Sequence, residues 1–253
     1  MKDRWPGAVL VIAVLVVWEI VIATGMIETV SLPRVSDIFV AWGQLIADGS
    51  MIEVVGSTLR RMFIGFAIAT ILAIPVGLVM GSSRWAHSLL EPITELVRPI
   101  PSPAYIPIAI LLLGIGDPMK IAVVVTASVF PILLNTYQGV INLDRTLINT
   151  GRTLGASKTY ITRRIALPAA LPSILTGMRV SLGVSFIVVV VAEMIAGGSG
   201  LGHFILNSQR SFHVAEMYAG IFTLAVLGYA FNRLFILGEG WALRSRDRSL
   251  VRT

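Results

Sequence analysis

A polar, basic stretch interrupts a chain that is otherwise strongly apolar. It runs through Gly155, Ala156, Ser157, Lys158, Tyr160, Ile161, Arg163, Arg164, Ile165, Leu167 and Pro168, where a new apolar run starts. We expect a short amphipathic helix here with Lys158, Arg163 and Arg164 exposed. A long loop between two membrane helices usually has a function on one face of the bilayer. The alternative is an ordinary basic cytoplasmic loop.

The residue pattern excludes several kinds of chemistry. No G-x-x-x-x-G-K-[ST] motif that could hold a nucleotide phosphate occurs, and neither H-E-x-x-H nor G-x-S-x-G is present. His87, His203 and His213 are too scattered to indicate a metal site, and the chain has no cysteine. We therefore predict no cofactor bound by this chain. If the chain moves a solute against a gradient, the energy must come from another subunit or from an ion gradient.

Polar side chains inside the apolar segments are candidates for a translocation pathway. Glu19 and Glu193 are carboxylates within predicted membrane spans, and such groups indicate function by default. The alternative is that each pairs with a neighbouring arginine or reaches the interface. Further candidates for the pathway, which alternatively hydrogen-bond between packed helices, are Asn135, Gln138, Ser181 and Ser185.

Arg60 and Arg61 stand at a helix start, on the face that carries fewer positive charges. They have two possible roles. Together with Arg210 they would attract an anionic solute through their electrostatic field. Alternatively, they pair with Glu53 and with lipid phosphates. We include Arg60 among the pathway candidates.

Composition predicts an all-α polytopic membrane protein. Hydrophobic residues make up 55% of the chain, charged residues 13%, and the mean hydropathy is +0.84. Six transmembrane helices are predicted at 7–27, 59–81, 88–114, 119–140, 171–196 and 214–241. The net charge of +6 is better explained by basic cytoplasmic loops than by nucleic-acid binding.

The distribution of lysine and arginine predicts the orientation. Most of those assigned to loops fall on one face, at Lys2, Arg4, Arg84, Arg145, Arg152, Lys158, Arg163, Arg164, Arg244, Arg246, Arg248 and Arg252. The positive-inside rule places that face in the cytoplasm. We therefore expect the 141–170 loop and both termini to be cytoplasmic, in the inner (plasma) membrane.

Two segments depart from simple spans. Residues 31–56 are predicted to form an amphipathic helix on the outer interface, with Trp42 at headgroup level. The third span contains Pro99, Pro101, Pro103 and Pro107, so it cannot be one continuous helix. The predicted organisation is an N-terminal helix at 1–30, the interfacial helix, a core at 57–243 and a basic tail at 244–253.

The polar stretch resembles the cytoplasmic "EAA" coupling loop of binding-protein-dependent ABC importers, whose pattern is E-A-A-x3-G-x9-I-x-L-P. Gly155, Ile165, Leu167 and Pro168 match at the required spacing, whereas residues 149–151 read Asn-Thr-Gly. The loss of an acidic residue at Asn149 removes one possible contact to a basic group of a partner. The resemblance extends over roughly residues 30–240 and is closest to the nitrate, sulfonate and taurine branch.

The resemblance implies a type I ABC importer permease fold and a set of partners. These are two copies of an ATP-binding subunit that holds ATP and Mg, a second permease copy that is expected to be identical, and an extracytoplasmic solute-binding protein. The resemblance also implies that residues 149–168 dock on the ATPase. Within that loop, the charged residues would dock electrostatically and Tyr160 and Ile161 would supply apolar contact.

Two other classes remain as alternatives. An ion-coupled secondary transporter would show inverted halves with paired carboxylates at the midplane, and neither is seen. A membrane-embedded enzyme would need a catalytic constellation, which the sequence lacks.

Overall fold

The computed structural model describes residues 5–25 and 31–250, and every regular element in those ranges is a helix. The helices are α1 (Trp5–Ala23), α2 (Val35–Ala47), α3 (Ser50–Ser82), α4 (Arg84–Val97), α5 (Ile106–Leu113), α6 (Asp117–Ile141), α7 (Arg145–Thr153), α8 (Lys158–Tyr160), α9 (Leu167–Ala196), α10 (Leu201–Arg210) and α11 (Val214–Leu250). A 3-10 turn (Ser102–Tyr105) precedes α5, and a π turn (Ile161–Ala166) joins α8 to α9. The predicted all-α fold is confirmed.

Among the described residues, four helical stretches are long and apolar enough to cross a membrane. They are α3, α6, Ile161–Ala196 and Val214–Gly240, and a bent pair made of α4 and Ser102–Leu113 adds a fifth if it counts as one span. Six spans were predicted, and the difference lies at α1. Its 19 residues rise about 28 Å, close to the hydrocarbon thickness of a bilayer. Residues 26–27 of the predicted first span lie outside the described ranges.

Helices α3, α6 and α9 form the centre of the molecule through close contacts at glycines. A Cβ atom added at Gly77 would lie 2.7 Å from Cβ of Thr136, and one added at Gly177 would lie 2.7 Å from Cβ of Asn135. Gly65 and Gly81 make equally close contacts with other side chains of α6. Small residues let membrane helices approach until their backbones nearly touch. These contacts fix α6 between α3 and α9.

The predicted break in the third span is confirmed. Helix α4 ends at Val97, and the helical segment that starts at Ser102 leaves at an angle of 90°. Pro99 and Pro101 fall in the gap, where a proline cannot donate the backbone hydrogen bond that a continuous helix needs. The break exposes non-helical backbone beside α6, which in a membrane requires burial in protein or contact with an aqueous cavity.

Helix α2 confirms the helix predicted within 31–56, and it packs on α11. Its buried face carries Ile38 and Leu45, and Nε1 of Trp42 donates a 3.0 Å hydrogen bond to Oγ1 of Thr223. Glu19 of α1 accepts hydrogen bonds from the amide and the hydroxyl of Ser36 in the first turn of α2. The sequence left open a functional role, an arginine partner or contact with the interface for Glu19, and in the structure its carboxylate hydrogen-bonds to the start of α2.

At the C-terminal end, α11 continues as one helix to Leu250. Its backbone therefore passes through the start of the predicted tail at 244. Residues 251–253 of that tail lie outside the described ranges.

Candidate functional site

The loop between α6 and α9 begins with a short helix that has a side-chain cap at its start. Oδ1 of Asp144 accepts a 2.8 Å hydrogen bond from the amide of Thr146, which satisfies one of the free donors of α7. This hydrogen bond holds the pKa of the Asp144 carboxyl below its ordinary value. The carboxylate is therefore charged at neutral pH, as a helix N-terminus favours.

Gly155 ends α7 in a left-handed conformation. Its φ is +77°, its amide donates to the carbonyl of Arg152, and the amide of Ala156 donates to the carbonyl of Gly151, both at 3.0 Å. These two bonds define a Schellman motif, in which glycine is favoured because a side chain would strain the backbone. Gly155 therefore has a backbone conformation that is costly for residues with a side chain.

The next helix, α8, starts at Lys158, three residues after Gly155. Oγ of Ser157 accepts a hydrogen bond of 3.2 Å from the amide of Tyr160, and the carbonyl of Ser157 accepts one of 3.0 Å from the amide of Ile161. Gly155, Ala156 and Ser157 therefore form the end of one helix and the cap of another.

The sequence predicted a short amphipathic helix after Gly155, and residues 158–166 are helical, with Arg163 and Arg164 exposed and Ile161 buried. This helix does not stop at Leu167 but continues directly into α9 through the π turn, and the sequence did not predict α7 before Gly155. The amide of Leu167 reaches back to the carbonyl of Thr162, five residues earlier. Pro168 has no amide to bond to the preceding turn, and such irregular turns occur where a proline enters a helix.

A small residue on α7 brings the loop against the start of α9. A Cβ atom added at Gly151 would lie 2.8 Å from Cδ1 of Ile165 and 3.4 Å from Cγ1 of Ile161. Ile161 is buried at this contact. The prediction that Ile161 offers an apolar surface to a partner is therefore wrong, because its side chain packs within its own chain.

The outward surface of the loop is apolar and basic. Leu154 is 80% exposed, Tyr160 56% and Leu147 49%, and Arg163 and Arg164 are also exposed. The exposure of Tyr160, Arg163 and Arg164 agrees with the sequence. The side chain of Lys158 lies outside the described residues. Within this stretch, Ala156 is half-buried and Ser157 is exposed, while Leu167 and Pro168 are half-buried at the base of α9.

A second cluster, of buried charges, lies where α3, α6 and α9 meet the 197–200 turn. The guanidinium of Arg61 is 3% exposed and donates to Glu193 at 2.7 Å, to Asp117 at 2.6 Å and to both oxygens of Ser199. Lys120, which is also buried, donates from Nζ to the carbonyls of Gly197 at 2.7 Å and Ser199 at 3.3 Å.

Glu193 is the fully buried centre of this cluster. Besides the ion pair with Arg61, its carboxylate accepts hydrogen bonds from the hydroxyl of Thr58 and the amide of Gly202. A Cβ atom on Gly200 would lie 2.1 Å from this carboxyl group, so there is no space for a side chain at position 200. Buried charges persist when they are paired and fully hydrogen-bonded, and this arrangement ties four helices together.

The arginines at the start of the second predicted span have other partners than expected. Arg60 forms an ion pair with Asp117, although its side chain is 62% exposed. One of the two alternatives paired these arginines with Glu53, and in the structure both pair with Asp117. Arg61 was expected to be available to solutes or lipid, and it is buried instead.

A cavity of about 430 Å³ lies between the bent pair and the C-terminal part of α6. Asn135 and Gln138, two of the predicted pathway residues, line it together with Arg98, Ser102 and Tyr105. Nδ2 of Asn135 also donates to the carbonyl of Pro131 at 2.8 Å. The structure thus brings two sequence-predicted polar residues to a cavity beside the break.

The remaining pathway candidates lie away from this cavity. The Ser181 hydroxyl donates to the carbonyl of Ser128 on α6, and the Ser185 hydroxyl donates to the carbonyl of Leu182 within α9. Both serines are fully buried. Their hydrogen bonds match the alternative that was left open, in which small polar residues bond within and between packed helices.

Some site residues were missed by sequence reasoning. Asp144 before α7 and Gly155 after it are helix start and stop signals that would have located the helix correctly. Arg98 directly precedes the proline run and was not among the pathway candidates. Asp117 and Thr58 carry no local signal, because their partners lie far away in sequence. The described residues contain no group of three or more His, Asp or Glu that could hold a metal ion.

Comparison with known proteins places these features in a family. Residues 73–239 match the family described as binding-protein-dependent transport system inner membrane component. A probable ABC transporter permease of Brucella melitensis is 39% identical over 92% of this chain and 91% of its own. The taurine transport system permease protein of Escherichia coli is 31% identical over 90% and 88%. The nitrate import permease protein of Synechocystis is 31% identical over 76% and 70%.

The fold is also that of a solved transporter subunit. A chain of the MetNI methionine ABC transporter in an inward-facing conformation superposes with a TM-score of 0.67, covering 77% of this chain and 95% of its own at 20% identity. The alternative of an ion-coupled secondary transporter receives no support. Because the family match covers residues 73–239 and the similarity to these permeases covers most of the chain, the chain belongs to the binding-protein-dependent transport system inner membrane components. It is the permease subunit of an ABC importer.

Proposed function

We propose that this permease carries a small anion, such as a sulfonate, taurine or nitrate, across the inner membrane. The observation that carries the proposal is similarity over most of the chain to permeases named for taurine and nitrate. Nitrate is an anion, and taurine carries an anionic sulfonate group. The binding protein sets most of the specificity in this proposal, so the membrane cavity needs only modest selectivity.

The pathway itself is proposed to pass beside the bent pair. Asn135 and Gln138 line the cavity there and offer amide groups that can hydrogen-bond a polar solute. Arg60 remains a candidate at the outer entrance because most of its side chain is exposed. Glu193, Ser181 and Ser185 are buried among helices, and we assign them to holding the pathway helices in place.

The 149–168 loop is proposed to couple the permease to its ATPase. Leu147, Leu154 and Tyr160 present apolar surface in water, which favours a protein contact, and Arg163 and Arg164 can dock electrostatically. Because α7 packs through Gly151 on the isoleucines that lead into α9, a push on α7 would move α9 directly. Asn149, which replaces the acidic residue of the family pattern, is exposed on α7.

The assembly is proposed to contain two identical permease chains and two ATPases. One chain offers one coupling loop, and the two ATPases that bind ATP and Mg need one each. We further propose that both termini lie in the cytoplasm, as the lysine and arginine distribution predicts. A native mass measurement of the active complex should find two permease copies. An active complex with a single copy would contradict this stoichiometry.

The anion proposal is tested with the complex of permease and ATPase in liposomes, supplied with its binding protein. We expect ATP-dependent uptake of taurine, an alkanesulfonate or nitrate, and no uptake of choline or maltose. Uptake confined to choline or maltose would overturn the anion class and leave the membership of the family untouched.

A further inference from the structure

Among the described residues, the wall of the cavity beside the bent pair contains a positive charge and no carboxylate. Arg98 is the charged residue among those that the structure places around it. The other residues of the wall are uncharged. They lie in the segment around the break, on α6 and, in the case of Val180, on α9. A cavity of one sign with low-dielectric walls concentrates ions of the opposite sign.

Hydrogen-bond donors without a partner face the same cavity. The side chains of Ser102 and Gln138 line it, and neither makes a hydrogen bond within the described part of the chain. By contrast, Asn135 and Thr126 already donate to backbone carbonyls. An arginine fork with a free hydroxyl and a free amide is a donor set suited to the several oxygens of an oxyanion.

The ion pair between Arg98 and Glu95 is weak. Nη1 of Arg98 lies 3.8 Å from Oε1 of Glu95, and both side chains are mostly exposed, at 60% and 62%. Such a pair is screened by water and exchanges readily with another anion. The guanidinium can therefore turn to a solute in the cavity without leaving a buried charge unpaired.

We propose that Arg98, Ser102 and Gln138 form a transit site for a small oxyanion, in which Arg98 determines the sign of the charge that the permease accepts. The proposal rests on the anion transport proposed above and names the residues that select for it. The size of the cavity, about 430 Å³, falls within the range of small-molecule sites of roughly 300–1,000 Å³. A cation in this cavity would be repelled by the Arg98 guanidinium, and the described residues of the wall offer it no carboxylate.

The test compares Arg98→Gln, Arg98→Lys and Glu95→Gln in the complete complex with ATPase and binding protein. Arg84→Gln is the matched control, because Arg84 is an exposed arginine at the other end of α4. Uptake of taurine and nitrate is measured over a range of concentration and ionic strength, together with basal ATPase activity. The basal ATPase activity reports whether each complex has assembled.

We expect Arg98→Gln to lower anion uptake about tenfold, the lower end of the effect of a charged cleft. Arg98→Lys should restore part of it, and Glu95→Gln and Arg84→Gln should keep it. The loss should shrink at high salt, because an exposed charge is then screened. Wild-type uptake by Arg98→Gln, or equal losses in Arg98→Gln and Glu95→Gln, would overturn the transit site.

A second variant keeps the outcome decisive. If Arg98→Gln does not assemble, Gln138→Leu removes a donor from the opposite wall, and normal anion uptake by that variant would overturn the site. If the wild-type complex carries neither taurine nor nitrate nor an alkanesulfonate, the anion proposal itself fails. That result is distinct from a working anion importer that ignores Arg98.

Discussion

Gly155 shows how one residue determines the path of the chain within the 149–168 loop. Its positive φ and its two Schellman hydrogen bonds end α7 and turn the chain into the next helix. A β-branched residue in this conformation costs about 1–2 kcal/mol relative to its preferred region. The space around the position is open, so the strain comes from the backbone and not from a clash.

We therefore expect Gly155→Val to reduce ATP-driven uptake while membrane insertion stays normal. Gly155→Asn should retain more activity, because asparagine tolerates the left-handed region. Gly56→Val is the control, since Gly56 also has open space but lies in the interior of α3 without a positive φ. Wild-type uptake by Gly155→Val would show that this turn does not serve coupling.

Glu193 is a residue whose charge supports stability. Its removal leaves Arg61 and Lys120 buried with less compensation, and breaking a buried pair in this way costs about 3–5 kcal/mol. We predict that Glu193→Gln markedly lowers the Tm of the purified protein. Glu95→Gln, which breaks an exposed pair, should leave it almost unchanged. Equal Tm values for the two variants would contradict the structural role of Glu193.

At the scale of elements, the contact between α7 and α9 decides whether the loop can transmit a movement. Gly151 faces the end of the Ile165 side chain, so a single methyl group can be accommodated by a small shift, whereas a larger group cannot. We predict that Gly151→Leu uncouples ATP hydrolysis from uptake and that Gly151→Ala has a mild effect. The measurement is the ratio of transported solute to ATP hydrolysed.

A compensating pair makes this prediction specific. Ile165→Val removes the atom nearest to the added Cβ, so it should restore coupling in the Gly151→Ala background. An additive loss in the double variant would show that the two side chains do not act through this contact.

The bent pair shows which features of a structural element can be predicted from the sequence. Four prolines within nine residues exclude a continuous helix, and this was predictable because proline lacks the amide that a helix requires. The angle of 90° and the wall that the break shares with α6 were not predictable. They depend on packing against helices that are distant in the chain.

At the scale of the whole molecule, the orientation can be tested cleanly because the chain has no cysteine. Asn142 in the turn after α6 and Phe212 between α10 and α11 are both exposed. We expect a membrane-impermeant thiol reagent to label Phe212→Cys from outside the cell and Asn142→Cys only in inside-out vesicles. Labelling of both from one side would overturn the predicted topology.

The sequence by itself determined the class of protein, the family and the position of the loop that we propose to couple to the ATPase. Hydropathy and the spacing of Gly155, Ile165, Leu167 and Pro168 are local properties, and helices, caps and breaks follow from residues within a few positions of one another. It did not predict α7, which has only nine residues and is polar overall. Only the tertiary structure decided that Arg61 pairs with Glu193, 132 residues away, and that Ile161 packs inward on Gly151. Such contacts depend on which helix faces meet, and the order of residues along one helix does not specify its neighbour.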